Sequence, residues 1–253
     1  MDLLHGTIVP DQTIWIVCAL FYVFDNLRSL GSRQLVLSER LNGQWTPLFP
    51  LHRYRLAGRA LVVLNPLLPW LAAVQMDWLT EDAFGIQRLR RSKKLLGAYR
   101  RRLMEFRALS AGLIVALFIA GPLITHWFGL GLALICIFPF YLAALAVLVG
   151  KLIVERRFWR MSWSQLSSLI FQCAVCPGVF INICRRVSLG YARVPGDVLA
   201  YALVHGGRNL ATKIERRLHL CLDDLNEHEE LTLEDQPHIE LYMCQLKRVI
   251  GRE

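Results

Sequence analysis

The chain has 253 residues, a formal net charge of +9 and 55% hydrophobic residues, and its mean hydropathy is +0.38. Soluble globular domains are about 45–50% apolar and about 25% charged, whereas only 19% of this chain is charged. This composition argues against an ordinary soluble domain and favours an α-helical integral membrane protein.

The N-terminal region 1–30 is predicted to hold the first of about three transmembrane helices, over residues 12–30. The first 27 residues contain no Lys or Arg, while residues 28–59 contain six Arg, so we expect the N-terminus to lie outside. Asp25 falls in the last turn of this helix. It is either half of an interfacial ion pair with Arg28 or a functional intramembrane acid.

Residues 31–107 are predicted to be cytoplasmic and to begin with a small β-hairpin. Asn42-Gly43 is the dipeptide most typical of a type I′ hairpin turn. The flanking segments, 34–41 and 44–49, are rich in strand-forming residues, which supports the same structure.

Two apolar segments, 60–76 and 161–184, are interrupted by prolines and are predicted to be re-entrant or interfacial. A full crossing of either segment would place basic residues outside, against the positive-inside bias. Backbone groups freed by proline at membrane depth need protein or water as partners, so both segments should pack on the spans or on a partner. Asn65, beside Pro66, is with Asp25 a candidate intramembrane polar site.

Residues 88–107 form a basic block that carries nine Lys or Arg and one acid, Glu105. Such a block beside a membrane span favours the cytoplasmic side and attracts anionic lipid. Nucleic acid is disfavoured as a partner because the block offers few aromatic side chains for base stacking. The candidate interaction or lipid contacts are Arg88, Arg90, Arg91, Lys93, Lys94, Arg100, Arg101 and Arg102.

The region 108–150 is predicted to be a hairpin of two transmembrane helices, because its 43 residues include no Asp, Glu, Lys or Arg. A single helix of that length would be about 64 Å long, twice the thickness of a bilayer core. We expect spans at about 108–126 and 130–150, joined by a tight turn at 125–129. Basic residues at both ends then place both ends in the cytoplasm.

Residues 151–253 are predicted to form an interfacial segment and a cytoplasmic helical tail. Residues 223–240 contain eight acids and no Lys or Arg, a net charge of −8, which opposes the net charge of +8 in the basic block. We therefore expect a salt-sensitive contact between the acidic stretch and the basic block, in the same chain or a neighbouring one.

Cys173 and Cys176 form the only motif with recognised chemistry, a CxxC pair. Such a pair can cycle between dithiol and disulfide, but cysteine is also an ordinary small apolar residue in packed helices. The sequence shows neither a nucleophile–base set nor the paired ligand spacing of a zinc site, so no catalytic residue, metal or cofactor is predicted.

These features favour a non-enzymatic, multi-pass subunit or assembly factor of a larger complex in the bacterial inner membrane, such as a secretion, conjugation or envelope machine. Membrane lipid, other proteins of the complex and further copies of the chain are the expected partners. The alternatives are a transporter or channel component with a site at the proline-broken segments, and a membrane thiol oxidoreductase.

The predicted plan resembles, in topology alone, that of the TolQ/ExbB/MotA-type motor stators. The polar residues that such proteins carry in their last two spans are absent here, apart from Thr125 and His126 near the turn. The resemblance therefore does not imply proton conduction.

Overall fold

A computed structural model describes residues 13–30, 34–48, 51–56, 59–77 and 86–198, with isolated positions between 201 and 247. The chain divides into two compact units. Unit 1 comprises the described residues up to Asn26, then Asn65–Trp70 and Leu103–Tyr191, and unit 2 comprises Leu27–Leu64, Leu71–Arg102 and the described residues from Ala192 onward.

The described elements alternate between helical and strand-rich stretches. In chain order they are α1 (Thr13–Phe24), β1 (Leu27–Leu30), β2 (Gln34–Glu39), β3 (Trp45–Leu48), β4 (Leu51–Leu56), β5 (Arg59–Val63), β6 (Ala73–Asp77), α2 (Ile86–Arg102), α3 (Met104–Ile114), a π-helical turn (Val115–Ala120), α4 (Gly121–Phe128), α5 (Leu130–Glu155), α6 (Trp163–Val175), α7 (Pro177–Ile181), α8 (Ile183–Tyr191) and β7 (Arg193–Asp197).

The centre of unit 1 is a hairpin of two long apolar helices. α3, the π-helical turn and α4 run continuously over 25 residues, Met104–Phe128, and α5 has 26 residues. At 1.5 Å per residue each exceeds the roughly 30 Å of a bilayer core. The chain reverses at Gly129, whose φ of 84° favours glycine. The predicted helical hairpin is therefore confirmed, with both helices longer than the predicted spans and the reversal at the last residue of the predicted turn, whereas its crossing of a membrane stays a prediction.

The π-helical turn lies directly before Pro122. Proline has no N–H to donate to the carbonyl one turn earlier. The backbone hydrogen bonds of the helix there span five residues instead of four, so that the Gly121 N–H donates to the Ala116 carbonyl. The helix nevertheless continues through Pro122 to Phe128.

Helix α1 packs closely on the hairpin and on α7. At Gly121, an added Cβ would lie 2.6 Å from the Trp15 ring, and at Gly178 it would lie 3.1 Å from the Tyr22 Cα. The Trp15 indole N–H also donates to the Thr125 hydroxyl at 3.0 Å. Two glycines thus admit α1 at distances that a larger residue would prevent.

The predicted first span, 12–30, is wrong at its C-terminal end. α1 ends at Phe24 and Leu27–Leu30 forms a strand. The 12 helical residues extend about 18 Å, which is short of a bilayer core. The described residues therefore include two helices, not three, that are long and apolar enough to cross a membrane.

The described residues of unit 2 form two sheets, where only one small hairpin was predicted. One sheet has the antiparallel order β1-β5-β4, and the other has the order β3-β2-β6-β7, in which only the β6–β7 pair is parallel. Buried side chains of β2 and β6 form the core of the second sheet; they include Leu35, Val36, Leu37, Val74 and Met76. These strands were missed because a short apolar run does not by itself distinguish a buried strand from a helix.

The predicted β2–β3 hairpin is present, with Glu39 paired to Trp45. Its turn is not the expected type I′. The Gly43 N–H donates to the Arg40 carbonyl at 2.8 Å, and Gly43 has φ of 77° whereas Asn42 has no positive φ. This is a three-residue connection in which glycine takes the left-handed position after an ordinary turn.

The segment 60–76, predicted to be re-entrant or interfacial, consists of strands and a connection, and its position relative to a membrane stays a prediction. Its first part lies in β5 and its last part in β6, and these strands belong to different sheets. Pro66 and Pro69 occupy the connection between them. The prolines thus end a strand, where a missing N–H is tolerated, rather than break a helix.

The segment 161–184 is helical and broken at Pro177, as predicted, and forms α6, α7 and the start of α8. α6 begins with a capping box, in which Ser162 and Gln165 exchange side-chain-to-backbone hydrogen bonds. α7 packs against α1, α3 and α6. The expectation that this segment packs on the long helices is confirmed, and its position relative to a membrane stays a prediction.

Candidate functional site

A polar cluster in unit 1 joins the end of α1 to the start of α8. It consists of Asp25, Asn26, Asn182, Arg185 and Arg186. Asn26, Asn182 and Arg185 are buried. Polar side chains at such depth are held by hydrogen bonds, because an unpaired buried polar group is costly.

Asn26 lies just beyond the end of α1, and its side chain makes two hydrogen bonds. Its amide nitrogen donates to the Tyr22 carbonyl at 2.7 Å, which satisfies a carbonyl left open by the end of the helix. Its side-chain oxygen accepts from the guanidinium of Arg185. Asn26 thus couples the end of one helix to a side chain from another.

Arg185 is the centre of the cluster and is only 3% exposed. Besides Asn26, its guanidinium donates to the carbonyl oxygens of Asn65 at 2.6 Å and Leu68 at 2.7 Å. A planar group with five N–H donors is suited to hold three acceptors at once. Arg185 therefore ties α1 and α8 to the connection that precedes β6.

Asp25 and Arg186 form an ion pair beside Arg185. Asn182 also donates to the second carboxylate oxygen of Asp25, at 2.9 Å. The Asp25 side chain is 9% exposed and that of Arg186 is 26% exposed, so water screens this pair more than it screens Arg185. Both carboxylate oxygens are engaged, which orients Asp25 and does not present it as a general base.

The connection Asn65–Trp70 is held by further hydrogen bonds. The Asn65 side chain accepts from the Leu67 N–H at 3.0 Å, an Asx turn. The Tyr22 hydroxyl donates to the Pro66 carbonyl, and the Cys184 thiol contacts the Trp70 carbonyl at 3.3 Å. These contacts fix a segment whose two prolines prevent it from continuing a sheet.

Both predicted intramembrane polar residues, Asp25 and Asn65, lie at this cluster, although Asp25 contacts it by its side chain and Asn65 by its carbonyl. The sequence reasoning missed Arg185, Arg186 and Asn182. It treated the two arginines as flanking charges of an apolar segment. The available signal was a pair of adjacent arginines that begins three residues after an asparagine, in a segment already broken by a proline.

The CxxC pair lies at the break between α6 and α7. Cys173 is buried and Cys176 is half-buried, and both are free thiols. Burial raises the pKa of the Cys173 thiol to about 12, so the reactive thiolate is scarce at neutral pH. This geometry favours the packing interpretation over redox chemistry.

The basic block lies on α2 and the start of α3. Lys94, Arg100, Arg101 and Arg102 are exposed, whereas the side chains of Arg88, Arg90, Arg91 and Lys93 lie outside the described residues. Arg100 pairs with the buried Glu39 at 3.2 Å and lies against Gly43 of the β-hairpin. This contact attaches α2 to the hairpin and leaves its neighbours facing solvent.

Among the residues that the structure describes, no three His, Cys, Asp or Glu side chains are grouped so that they could hold a metal ion. Nearly all of the acidic stretch 223–240 lies outside the described residues, so its contact with the basic block stays a prediction.

A scan of protein-family models, a search of curated proteins and a search of solved structures each found no match to this chain. The functional argument therefore depends on the geometry and chemistry of the chain itself.

Proposed function

We propose that this protein is a non-enzymatic, membrane-integral subunit or assembly factor of a larger complex in the bacterial inner membrane. Unit 1 anchors it through the helical hairpin, and unit 2 binds partner proteins in the cytoplasm. The single observation that carries the proposal is the exposed apolar surface of the two long helices.

Only 28% of the most apolar stretch of each long helix is buried. The core helix of a soluble protein would be mostly covered, because exposed apolar area of this extent is costly in water. A bilayer would cover these side chains instead. The exposed apolar residues of the hairpin include Val115, Ile119, Leu123, Trp127, Phe128, Ile135, Phe138, Phe140, Val147 and Val154.

Charge supports the proposed orientation of the hairpin. The ion pair between Lys151 and Glu105, at 2.7 Å, joins the two open ends of the hairpin, and Arg156, Arg157 and Arg160 follow directly. The opposite end, at Gly129, has exposed Trp and Phe and no Lys or Arg. The positive-inside bias supports a cytoplasmic location for the open end.

Unit 2 supports the partner-binding role. The Glu39–Arg100 bridge fixes α2 on the β-hairpin, and the exposed Lys94, Arg101 and Arg102 form a charged surface on a rigid support. Such a surface recruits acidic partners and raises their rate of association.

Two experiments test the proposal. Membranes from expressing cells are washed with alkaline carbonate, and the chain should stay in the pellet; its release would overturn membrane integration.

A photo-crosslinking amino acid at Arg101 should then yield a salt-sensitive adduct with a protein of an inner-membrane complex, while the same probe at Arg59, exposed in unit 2, should not. Equal adducts from both positions would contradict partner binding by α2.

A transporter or channel component remains the second candidate, on one observation. The polar cluster brings the connection containing Pro66 and the helix that follows the break at Pro177 together around Arg185. Transporter sites are typically formed where interrupted helices expose backbone groups, and here one of the two segments is an interrupted helix while the other connects two strands. Solute or ion flux in liposomes that is lost in Arg185→Lys but kept in Arg157→Lys would favour this function over the first.

A further inference from the structure

The turn that follows α5 retains an arginine where glycine is favoured. The Met161 N–H donates to the Arg156 carbonyl at 3.1 Å, and the Arg160 N–H donates to the Arg157 carbonyl at 3.3 Å. These two hydrogen bonds define a Schellman motif, in which the left-handed residue is usually glycine. Here that residue is Arg160, with φ of 54°, the only non-glycine residue with positive φ in the described part of the chain.

Trp159 and Met161, on either side of Arg160, are both buried and fix the turn to the core of unit 1. Arg157 and Arg160 alternate with these anchors and are exposed. Both arginines of the turn are therefore open to solvent, three residues apart in the chain. A strained conformation that is kept at such a position points to a role for the side chain that it presents.

A third arginine of the turn, Arg156, is paired with an aromatic ring. The guanidinium carbon of Arg156 lies 4.1 Å from the centroid of the Trp163 ring, which is within the range of a cation–π contact. Trp163 is 62% exposed. An exposed tryptophan beside arginines at the end of an apolar helix is typical of the membrane–water interface.

The acid nearest to the turn is Glu155, the last residue of α5. Glu155 is buried and pairs with Lys151 at 3.3 Å, one turn earlier on α5. Val154 and Phe158, which flank the turn, are exposed. The surface therefore combines cations with apolar side chains at the point where α5 ends.

We propose that Arg156, Arg157, Arg160 and Trp163 form a binding site for the headgroup of an anionic phospholipid. The arginines pair with the phosphodiester, which guanidinium groups recognise through paired N–H donors. Trp163 sits at the headgroup level, and Val154 contacts the acyl chain. This inference rests on the proposed membrane integration and assigns a lipid class to one end of the hairpin. The site is separate from the basic block on α2.

Native mass spectrometry of the purified full chain in detergent tests the site, by titration with dioleoyl phosphatidylglycerol and, separately, dioleoyl phosphatidylcholine. The wild-type chain should bind phosphatidylglycerol in preference to phosphatidylcholine. Each basic residue near an anionic lipid strengthens binding about fivefold. The double variant Arg157→Gln/Arg160→Gln should therefore lose one phosphatidylglycerol, or bind it about thirtyfold more weakly.

The matched control is Arg40→Gln/Arg59→Gln, which removes two exposed arginines of unit 2 and changes the net charge equally. It should bind phosphatidylglycerol as the wild type does. The single variant Arg160→Gly keeps the turn, since glycine prefers its conformation, and should still weaken binding about fivefold. Raising the salt concentration should reduce the preference of the wild type.

Equal losses in the two double variants would overturn the site, because total charge would then explain the binding. Unchanged binding in Arg157→Gln/Arg160→Gln would overturn it as well. These outcomes leave membrane integration intact, whereas a chain that is released by alkaline carbonate refutes the proposed function and this inference together.

Discussion

Replacement of Arg185 by methionine should destabilise unit 1 more than any other single arginine substitution in the polar cluster. Methionine keeps a long unbranched side chain and removes the guanidinium. Three acceptors then lose a donor: the Asn26 side-chain oxygen and the carbonyls of Asn65 and Leu68. Because Arg185 is 3% exposed, water does not readily replace these bonds.

The expected cost can be worked out acceptor by acceptor. Asn26 is buried, so its orphaned oxygen costs about 1–3 kcal/mol. Asn65 is exposed and Leu68 is half-buried, and the Asn65 carbonyl keeps a bond from the Leu68 N–H at 3.3 Å. Each of these carbonyls therefore costs about 0.5–1 kcal/mol. The sum is about 2–5 kcal/mol for Arg185→Met, and Arg185→Lys should lose about half of that, because an ammonium retains charge but not the planar fork.

Equilibrium unfolding of the purified chain in detergent measures these differences. Arg157→Met is the control, since its exposed side chain should contribute less than about 0.5 kcal/mol. A local measurement adds specificity, because hydrogen exchange at Leu67 and Leu68 should accelerate in Arg185→Met and not in the control. Wild-type stability and unchanged exchange in Arg185→Met would refute the role of Arg185 as the organiser of the cluster.

Three further predictions follow from the packing. Gly178→Ala should lower the free energy of unfolding by about 1–3 kcal/mol, because the added Cβ would lie 3.1 Å from the backbone of α1. The control Gly190→Ala has open space around the Cβ and should leave stability unchanged or raise it, so similar unfolding midpoints for the two variants would contradict this prediction. Arg160→Gly should raise stability by about 0.5–1 kcal/mol by relieving the left-handed backbone, and a loss of stability would show that the arginine side chain braces the turn. Burial raises the pKa of the Cys173 thiol from 9.0 to about 12, so Cys173 should resist maleimide at pH 8 in detergent while the exposed Cys244 reacts; equal labelling of the two thiols would contradict the burial of Cys173. The stabilisation that comes from keeping Cys173 protonated is complete below pH 9 and is lost as the pH rises towards 12, since only the unfolded thiol ionises in that window.

The local features of this chain were predictable from its sequence. The uncharged run 108–150 must fold back if it is helical, because one helix would be twice the thickness of a bilayer core, and Gly129 marks where it does so. Asn42-Gly43 predicted a hairpin, because glycine at a left-handed position depends only on a few neighbouring residues. Each of these predictions needs only information that lies within a short segment.

Features that depend on distant partners were decided by the tertiary structure alone. The apolar composition of 60–76 fits a helix and a buried strand equally well. The segment forms strands because β1 pairs with β5 and β2 pairs with β6. Arg185 follows Asn26 by 159 residues, so no local pattern predicts that they meet. α1 ends at Phe24 because the backbone beyond Asn26 pairs in a sheet, and that pairing outweighs the helical tendency of an apolar sequence.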